Sequence, residues 1–215
     1  MVLKRDKGNP GIRFLFGLFV IAISIYVFYI TLARSNSPEL FLVPTSLHVP
    51  SYPCKAVKGP QFCACIPNKL DYNITEDTLN FYSIDPNIRG SIKVFPELPG
   101  ENQWKNTLRN PFIKLFLGDI ESFNNFDLMV KLLSHKWNPT LMGPKARLIP
   151  SWMKRRKDAQ ILIPEGTRSI IFYTPIRCLG FNFINDKVAT ISISQENDIL
   201  HKEIIAGILI SIKLR

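Results

Sequence analysis

The chain has 215 residues, of which 46% are hydrophobic, and it carries 27 lysines and arginines against 17 aspartates and glutamates. This length suits one or two domains, and the apolar content excludes a chain that is disordered throughout. The mean hydropathy of +0.07 is high for a soluble domain, but the apolar excess is concentrated near the N-terminus. The composition therefore predicts a globular domain on a membrane anchor and excludes a polytopic membrane protein.

Residues 14–33 form an uncharged run in which 17 of 20 side chains are apolar. At about 1.5 Å per residue, a helix of this length crosses the roughly 30 Å hydrocarbon core of a bilayer once. A cleavable signal peptide is the alternative, since Thr31-Leu32-Ala33 offers a small-residue cleavage site. The run is longer than the roughly 7–15 apolar residues of a signal peptide, so we expect an uncleaved transmembrane helix over residues 13–33.

Basic residues flank this run unequally: Arg34 alone follows it closely, and four precede it, namely Lys4, Arg5, Lys7 and Arg13. The positive-inside rule therefore predicts that residues 1–12 are a cytoplasmic basic N-terminus and that the rest of the chain is exported. The Lys, Ile and Asn usage favours a bacterium. The predicted location is the bacterial inner membrane, with the C-terminal domain in the periplasm, where nucleic acid is not an expected partner.

Prolines crowd the next segment, residues 34–70. Six of the 16 in the chain fall here: Pro38, Pro44, Pro50, Pro53, Pro60 and Pro67. Proline disfavours long helices and central strands, so we predict an extended arm that is partly polyproline II. Its apolar residues indicate that the arm packs on another surface rather than serving as a solvated tether.

Residues 71–215 have the pattern of an α+β domain with an antiparallel sheet packed by helices. Two strand-like runs, residues 77–84 and 91–95, suggest a hairpin. Helical patterns follow over residues 102–117 with a break at 110–111, over 122–137 with Ser122 as the N-cap, and over 146–157. Four strands are then predicted at 160–163, 169–175, 179–184 and 188–194, followed by a helix over 198–213, with a strand as the alternative for its second half.

The four cysteines are Cys54, Cys63, Cys65 and Cys178. An even number of cysteines in an oxidising compartment predicts disulfide bonding, and four cysteines allow three pairings. A bond from Cys54 to Cys63 or Cys65 would staple the arm, and a bond to Cys178 would tie the arm to the domain.

Cys63-Ala64-Cys65 also has the spacing of two thiolates that address one soft ion such as Cu(I). A C-x-C pair after a single N-in anchor resembles the copper-delivery proteins of cytochrome oxidase assembly. The resemblance covers only these two cysteines and the topology, because the phenylalanines of that family are replaced by Ala64 and Ile66. It implies a copper carrier or a thiol redox factor in the periplasm.

The string Pro-Glu-Gly-Thr-Arg-Ser at residues 164–169 resembles the E-G-T-R-S block of glycerophosphate-type acyltransferases. That family needs a histidine with an aspartate five positions later, the histidine acting as a base. The three histidines, His48, His135 and His201, are followed at that distance by Pro53, Thr140 and Ala206. An ordinary turn between two strands is therefore the preferred interpretation.

Basic residues interleave with Trp and Met in the segment 145–157, a composition that suits an anionic membrane surface or an acidic protein face. A solvated helix face is the alternative. The candidate contact residues are Lys145, Arg147, Trp152, Lys154, Arg155, Arg156 and Lys157.

No coherent catalytic, cofactor-binding or metal-binding set emerges from the sequence. We therefore predict a single-pass structural, assembly or accessory subunit of a larger envelope complex, with the Cys63/Cys65 carrier as the alternative. The predicted partners are the lipid bilayer, through residues 14–33, and other membrane-protein subunits.

Overall fold

The computed structural model describes residues 10–84, 87–136, 138–195 and 201–215. It begins with helix α1, Pro10–Asn36. Within this helix the candidate span Phe14–Asn36 contains an 18-residue stretch with a mean hydropathy of 2.4 that is not buried against the rest of the chain. Its 23 residues correspond to about 34 Å of helix. One N-terminal helix is therefore long and apolar enough to cross a membrane, as predicted.

The domain is built on an eight-stranded sheet in the order β1-β7-β8-β9-β10-β6-β5-β4. Its strands are β1 Pro44–Leu47, β4 Asp71–Ile74, β5 Thr78–Ser83, β6 Ile88–Phe95, β7 Gln160–Pro164, β8 Ser169–Thr174, β9 Arg177–Ile184 and β10 Lys187–Gln195. Neighbouring strands are antiparallel except β1, which runs parallel to β7. The predicted β5–β6 hairpin and the four later strands are confirmed, whereas β1 and β4 were not expected.

A second, three-stranded sheet has the order β11-β3-β2. It consists of β2 Cys54–Lys58, β3 Phe62–Pro67 and the short β11 Lys213–Leu214. The structure does not confirm a separate proline-rich arm, because residues 34–70 supply strands to both sheets. The prolines stand at the ends of these elements, as Pro44 and Pro67 do, or in the connections. The short stretches between them therefore keep the N–H groups that pair with a neighbouring strand.

In the described part of the domain, four helices lie between the strands and one lies near the C-terminus: α2 Glu101–Leu108, α3 Pro111–Leu117, α4 Asn125–Ser134, α5 Pro139–Leu148 and α6 Lys202–Ile210. The predicted break before Pro111 is confirmed. Helix α4 begins three residues later than predicted, because Asn124 rather than Ser122 accepts a hydrogen bond from a first-turn N–H. The third helix, predicted over 146–157 with an interruption at Pro150, is not found: α5 ends at Leu148, and a short 3-10 turn covers Ser151–Met153. The helix predicted over 198–213 corresponds to α6, and residues 196–200 lie outside the described residues.

Strand β8 is the central element of the core, because all six of its residues are buried. Ile170 and Phe172 face a cluster with helices α2 to α5, and Ile171 and Tyr173 face a cluster with α6 and the small sheet. Adjacent residues of a strand point to opposite faces, so a strand covered on both sides needs apolar residues at every position. The fold therefore has three layers with the large sheet in the middle.

Gly90 lies directly opposite Phe81 in the β5–β6 ladder. A Cβ atom at position 90 would lie 2.2 Å from the ring of Phe81, which is 1% exposed. We expect Gly90→Ala to lower the free energy of unfolding by about 1–3 kcal/mol through overpacking. Chemical unfolding of the full chain in detergent measures this loss.

Gly143→Ala is the matched control, since position 143 lies in α5 with open space around it. Alanine has the higher helix propensity, so this variant is expected to gain up to about 1 kcal/mol. An equal loss from both substitutions would contradict the packing explanation for Gly90.

Candidate functional site

The basic residues predicted to form one contact surface differ in their exposure in the folded chain. Lys145 is buried and Arg156 is half-buried, whereas Arg147, Lys154, Arg155 and Lys157 are exposed. Residues 154–157 follow the short 3-10 turn Ser151–Met153, and we call them the basic turn. Only part of the sequence cluster is therefore available to a partner.

Lys145 is 1% exposed, so its prediction as a surface contact is wrong. Its ammonium donates to the carbonyl oxygens of Leu42 at 2.6 Å, Leu133 at 2.9 Å and His135 at 2.7 Å. These three bonds use all three donors of the group. Two of the carbonyls belong to the C-terminal end of α4, where a helix has unpaired C=O groups and favours a cation. Burial lowers the pKa of Lys145 to about 8.

Arg156 is held by Asp158 through two hydrogen bonds, from Nε at 2.8 Å and from an Nη atom at 2.5 Å. This pairing holds the pKa of Asp158 below its usual value. Trp152 is half-buried, and the guanidinium of Arg177 lies 5.6 Å from the centre of its ring. The charge of Arg156 is thus compensated within the domain, and one face of Trp152 is already covered.

The basic turn lies against the end of α1. A carboxylate oxygen of Glu39 accepts the backbone N–H of Arg155 at 2.9 Å. Glu39 belongs to the 3-10 turn Pro38–Phe41, which directly follows α1, and it is 4% exposed. Arg155 has a φ of 62°, a conformation that is uncommon for a residue with a side chain. The buried carboxylate therefore fixes the basic turn beside the C-terminal end of the apolar helix.

A cleft of about 550 Å³ lies between the end of α1 and the basic turn, and we call it the junction cleft. Its walls include Thr31 and Arg34 from α1, Pro38 and Phe41 from the following turn, and Arg155 and Lys157 from the basic turn. The guanidinium of Arg34 lies 6.0 Å from the centre of the Phe41 ring. This site joins residues that are about 120 positions apart in the sequence, and no local pattern indicates it.

A second cleft, of about 540 Å³, lies between α2 and the residues after α5. Arg147 and Lys154 line it together with Trp104. The buried indole N–H of Trp104 has no hydrogen-bond partner among the described residues. The exposed basic residues of the predicted surface are thus distributed over two clefts.

The cysteines form one disulfide, between Cys54 on β2 and Cys65 on β3. The strands are neighbours, with Ala56 opposite Cys65 and Cys54 opposite Pro67. Cys63 and Cys178 are not paired. Of the connections left open by the sequence, the structure therefore contains the one from Cys54 to Cys65 and no bond to Cys178. Burial raises the pKa of the Cys178 thiol to about 12.

The predicted Cu(I) pair is divided by this disulfide, because Cys65 is bonded and Cys63 is free. A copper carrier needs both thiolates, so in this chain metal binding would require reduction of the Cys54–Cys65 bond first. Within the described parts of the chain, no group of three or more His, Cys, Asp or Glu side chains converges on a point that a metal ion would occupy.

The E-G-T-R-S string forms the connection between β7 and β8, with Gly166 at a φ of 68°. Thr167 donates its hydroxyl hydrogen to the carbonyl of Pro164 at 2.8 Å, a local bond typical of a turn. His48 Nδ1 lies 3.4 Å from Glu165 Oε2, with the two side chains 83% and 57% exposed. The turn interpretation fits this geometry. The histidine contact is a solvated surface pair of the kind that contributes little.

Comparison with known proteins does not assign the chain: no protein-family model matches it, and no curated protein matches its sequence. The candidate sites therefore stand on their geometry.

Replacing Lys145 tests whether it acts as a buried connector. We expect Lys145→Met to lower the free energy of unfolding by about 1–3 kcal/mol, because three carbonyl groups lose their donor. Lys154→Met removes an exposed ammonium nine residues away and is expected to change stability by less than about 0.5 kcal/mol. Equal effects of the two variants in urea unfolding would show that Lys145 has no special role.

Counting thiols with iodoacetamide and mass spectrometry tests the cysteine arrangement. The native chain is expected to take one label, at Cys63, because Cys178 is fully buried and the other two are bonded. Denaturation adds Cys178, and reduction adds Cys54 and Cys65. Labelling of Cys63 and Cys65 in the native chain, with protection by Cu(I), would instead support the copper carrier.

Proposed function

We propose that the protein is a single-pass, membrane-anchored structural, assembly or accessory subunit of a larger envelope complex. Helix α1 crosses the bacterial inner membrane with the N-terminus in the cytoplasm, and the α+β domain lies in the periplasm. The domain contributes contacts to other membrane-protein subunits rather than a catalytic site of its own. The observation that carries this proposal is an apolar face on helix α3.

Helix α3 buries one face and leaves a second apolar face in solvent. Ile113 and Leu117 are 3% and 0% exposed and attach the helix to the domain. Phe112, Leu115 and Phe116 are 67%, 80% and 49% exposed. These three follow the i, i+3, i+4 spacing of one helix face. The exposed set is therefore contiguous on the helix.

Exposed apolar groups that cluster on one face are typical of an interaction surface. Covering a large apolar side chain completely contributes about 1.5–3 kcal/mol, and aromatic residues are frequent among the residues that dominate binding. The anchor adds a further advantage, because two proteins held in the same membrane meet at a high effective concentration. A modest apolar patch on a tethered domain is thus sufficient for stable association.

The end of α1 supports an anchor that is retained. The helix continues without interruption to Asn36, and the N–H of Ser37 donates to the carbonyl of Ala33 at 2.8 Å. The peptide bond after Ala33, where a signal peptide would be cleaved, therefore lies inside a regular helix. Residues after that bond pack against the domain through the 3-10 turn Pro38–Phe41.

Leu115→Glu tests the proposal in the native membrane. A buried carboxylate in an apolar interface is unfavourable, so we expect the variant to lose co-migration with its partner on a native gel after mild-detergent extraction. Its free energy of unfolding is expected to stay within about 0.5 kcal/mol of the wild-type value, because position 115 is exposed. Ile84→Glu, at a position that is 89% exposed elsewhere on the domain, is the control and should keep the complex.

A photo-crosslinking amino acid then identifies what covers the face. At position 115 it should give an adduct with one defined protein. At position 114 of the same helix, about 150° around the axis from the apolar face, it should give little. Adducts with lipid only, or equal protein adducts at both positions, would contradict a partner subunit on α3.

A further inference from the structure

The junction cleft collects positive charge from two distant parts of the chain. Arg34 comes from the last turn of α1, and Arg155 and Lys157 come from the basic turn. All three residues are exposed. Among the described residues, no carboxylate lies within ion-pair distance of any of the three. The cleft therefore has three cationic groups that the domain does not neutralise.

Hydrogen bonds within the domain hold the backbone that carries two of these cations. Glu39 is buried, and its carboxylate binds the main chain of Arg155 instead of its guanidinium. Asp158, the residue directly after the basic turn, is used by Arg156. Glu39 therefore holds the backbone of the basic turn, and Asp158 holds Arg156. Neither carboxylate pairs with a cationic group of the cleft, so these groups are available to a ligand.

The cleft also lies where the apolar run of α1 ends. Thr31 lines it and belongs to the apolar run of α1, about 4–5 Å along the helix from Arg34. One turn further towards the N-terminus on the same face, Val27 and Phe28 are 55% and 70% exposed. A ligand with an anionic head in the cleft has room for an apolar tail along this face of α1.

We propose that the junction cleft binds the phosphate-bearing headgroup of an anionic phospholipid in the leaflet on the side of the domain. Arginine matches phosphate oxygens with paired N–H donors, and lysine adds a point charge. Pro38 and Phe41 cover the apolar part next to the headgroup. This inference rests on the proposed membrane span of α1, and it adds a lipid that fixes how the domain stands on the bilayer.

The test uses the full chain reconstituted in nanodiscs of dioleoyl-phosphatidylcholine with a minor fraction of dioleoyl-phosphatidylglycerol. Native mass spectrometry after mild detergent release measures which lipid is retained. We expect the wild-type chain to enrich phosphatidylglycerol about tenfold over its share in the nanodisc. The R155N/K157Q double variant should lose most of this enrichment, and asparagine tolerates the positive φ at position 155.

The R147Q/K154Q double variant is the charge-matched control, because it removes two exposed cations that line the second cleft instead. It should keep the enrichment within about twofold. Arg34→Gln changes α1 and not the domain, so a loss in this variant excludes misfolding of the basic turn as the cause. Equal losses in the control and the test variant would reduce the effect to general charge attraction and overturn the proposal.

Three other outcomes are distinguishable. If the wild-type chain binds inorganic phosphate in detergent, the R155N/K157Q variant does not, and neither chain enriches phosphatidylglycerol, the cleft is a small-anion site and the lipid proposal is wrong. If the wild-type chain fails to enter nanodiscs, the membrane span fails and the lipid site fails with it. Insertion without lipid preference overturns the lipid site alone and leaves the proposed function standing.

Discussion

Two buried charges of opposite sign attach the end of α1 to the domain. Glu39 and Lys145 are 4% and 1% exposed, and each is bonded to main-chain groups across the junction. The Glu39 carboxylate accepts the N–H of Arg155, and the Lys145 ammonium donates to the carbonyl of Leu42. A buried charge without such partners is strongly unfavourable, so the two contacts allow little freedom in how the chain leaves the helix. The position of the basic turn and the existence of the junction cleft both follow from this constraint.

Because these two contacts fix the basic turn beside α1, the charge close to this helix differs between the sequence and the folded chain. The positive-inside rule considers residues near the ends of a span in sequence, and by that measure the N-terminal flank is the more basic one. In space, however, Arg155 and Lys157 join Arg34 at the C-terminal end of the helix. The two observations do not conflict, because the rule considers charges that flank the apolar run in sequence, whereas the basic turn comes close to that run only in the folded chain. In the proposed topology, the N-terminal charges set the orientation of the span, and the charges of the junction cleft are available to a ligand.

Much of the fold follows from local sequence signals. The break at Asn110-Pro111 and the later hairpins were predictable, because a cap or a turn residue stands at each boundary. Strand β1 was not, since its pairing with β7 joins Pro44 to Ile161 across more than a hundred residues. Lys145 is an intermediate case: Leu141 and Ile149 lie four residues on either side and are buried. That periodicity places Lys145 on the buried face of α5, but the neighbouring basic residues favoured a surface interpretation.

The disulfide and the distribution of basic residues support the proposed orientation independently of each other, because one depends on thiol oxidation and the other on membrane insertion. The Cys54–Cys65 bond lies between two strands of the small sheet, and such bonds persist in compartments that are kept oxidising. The distribution of basic residues around α1 is a matter of membrane insertion and has no connection with thiol chemistry. Cys178 does not weaken the argument, because it is fully buried among apolar residues and its thiol is inaccessible to an oxidant in the folded domain. A domain on the periplasmic side accounts for the bonded pair and the flanking charges together, whereas a cytoplasmic domain would leave each of them to be explained separately.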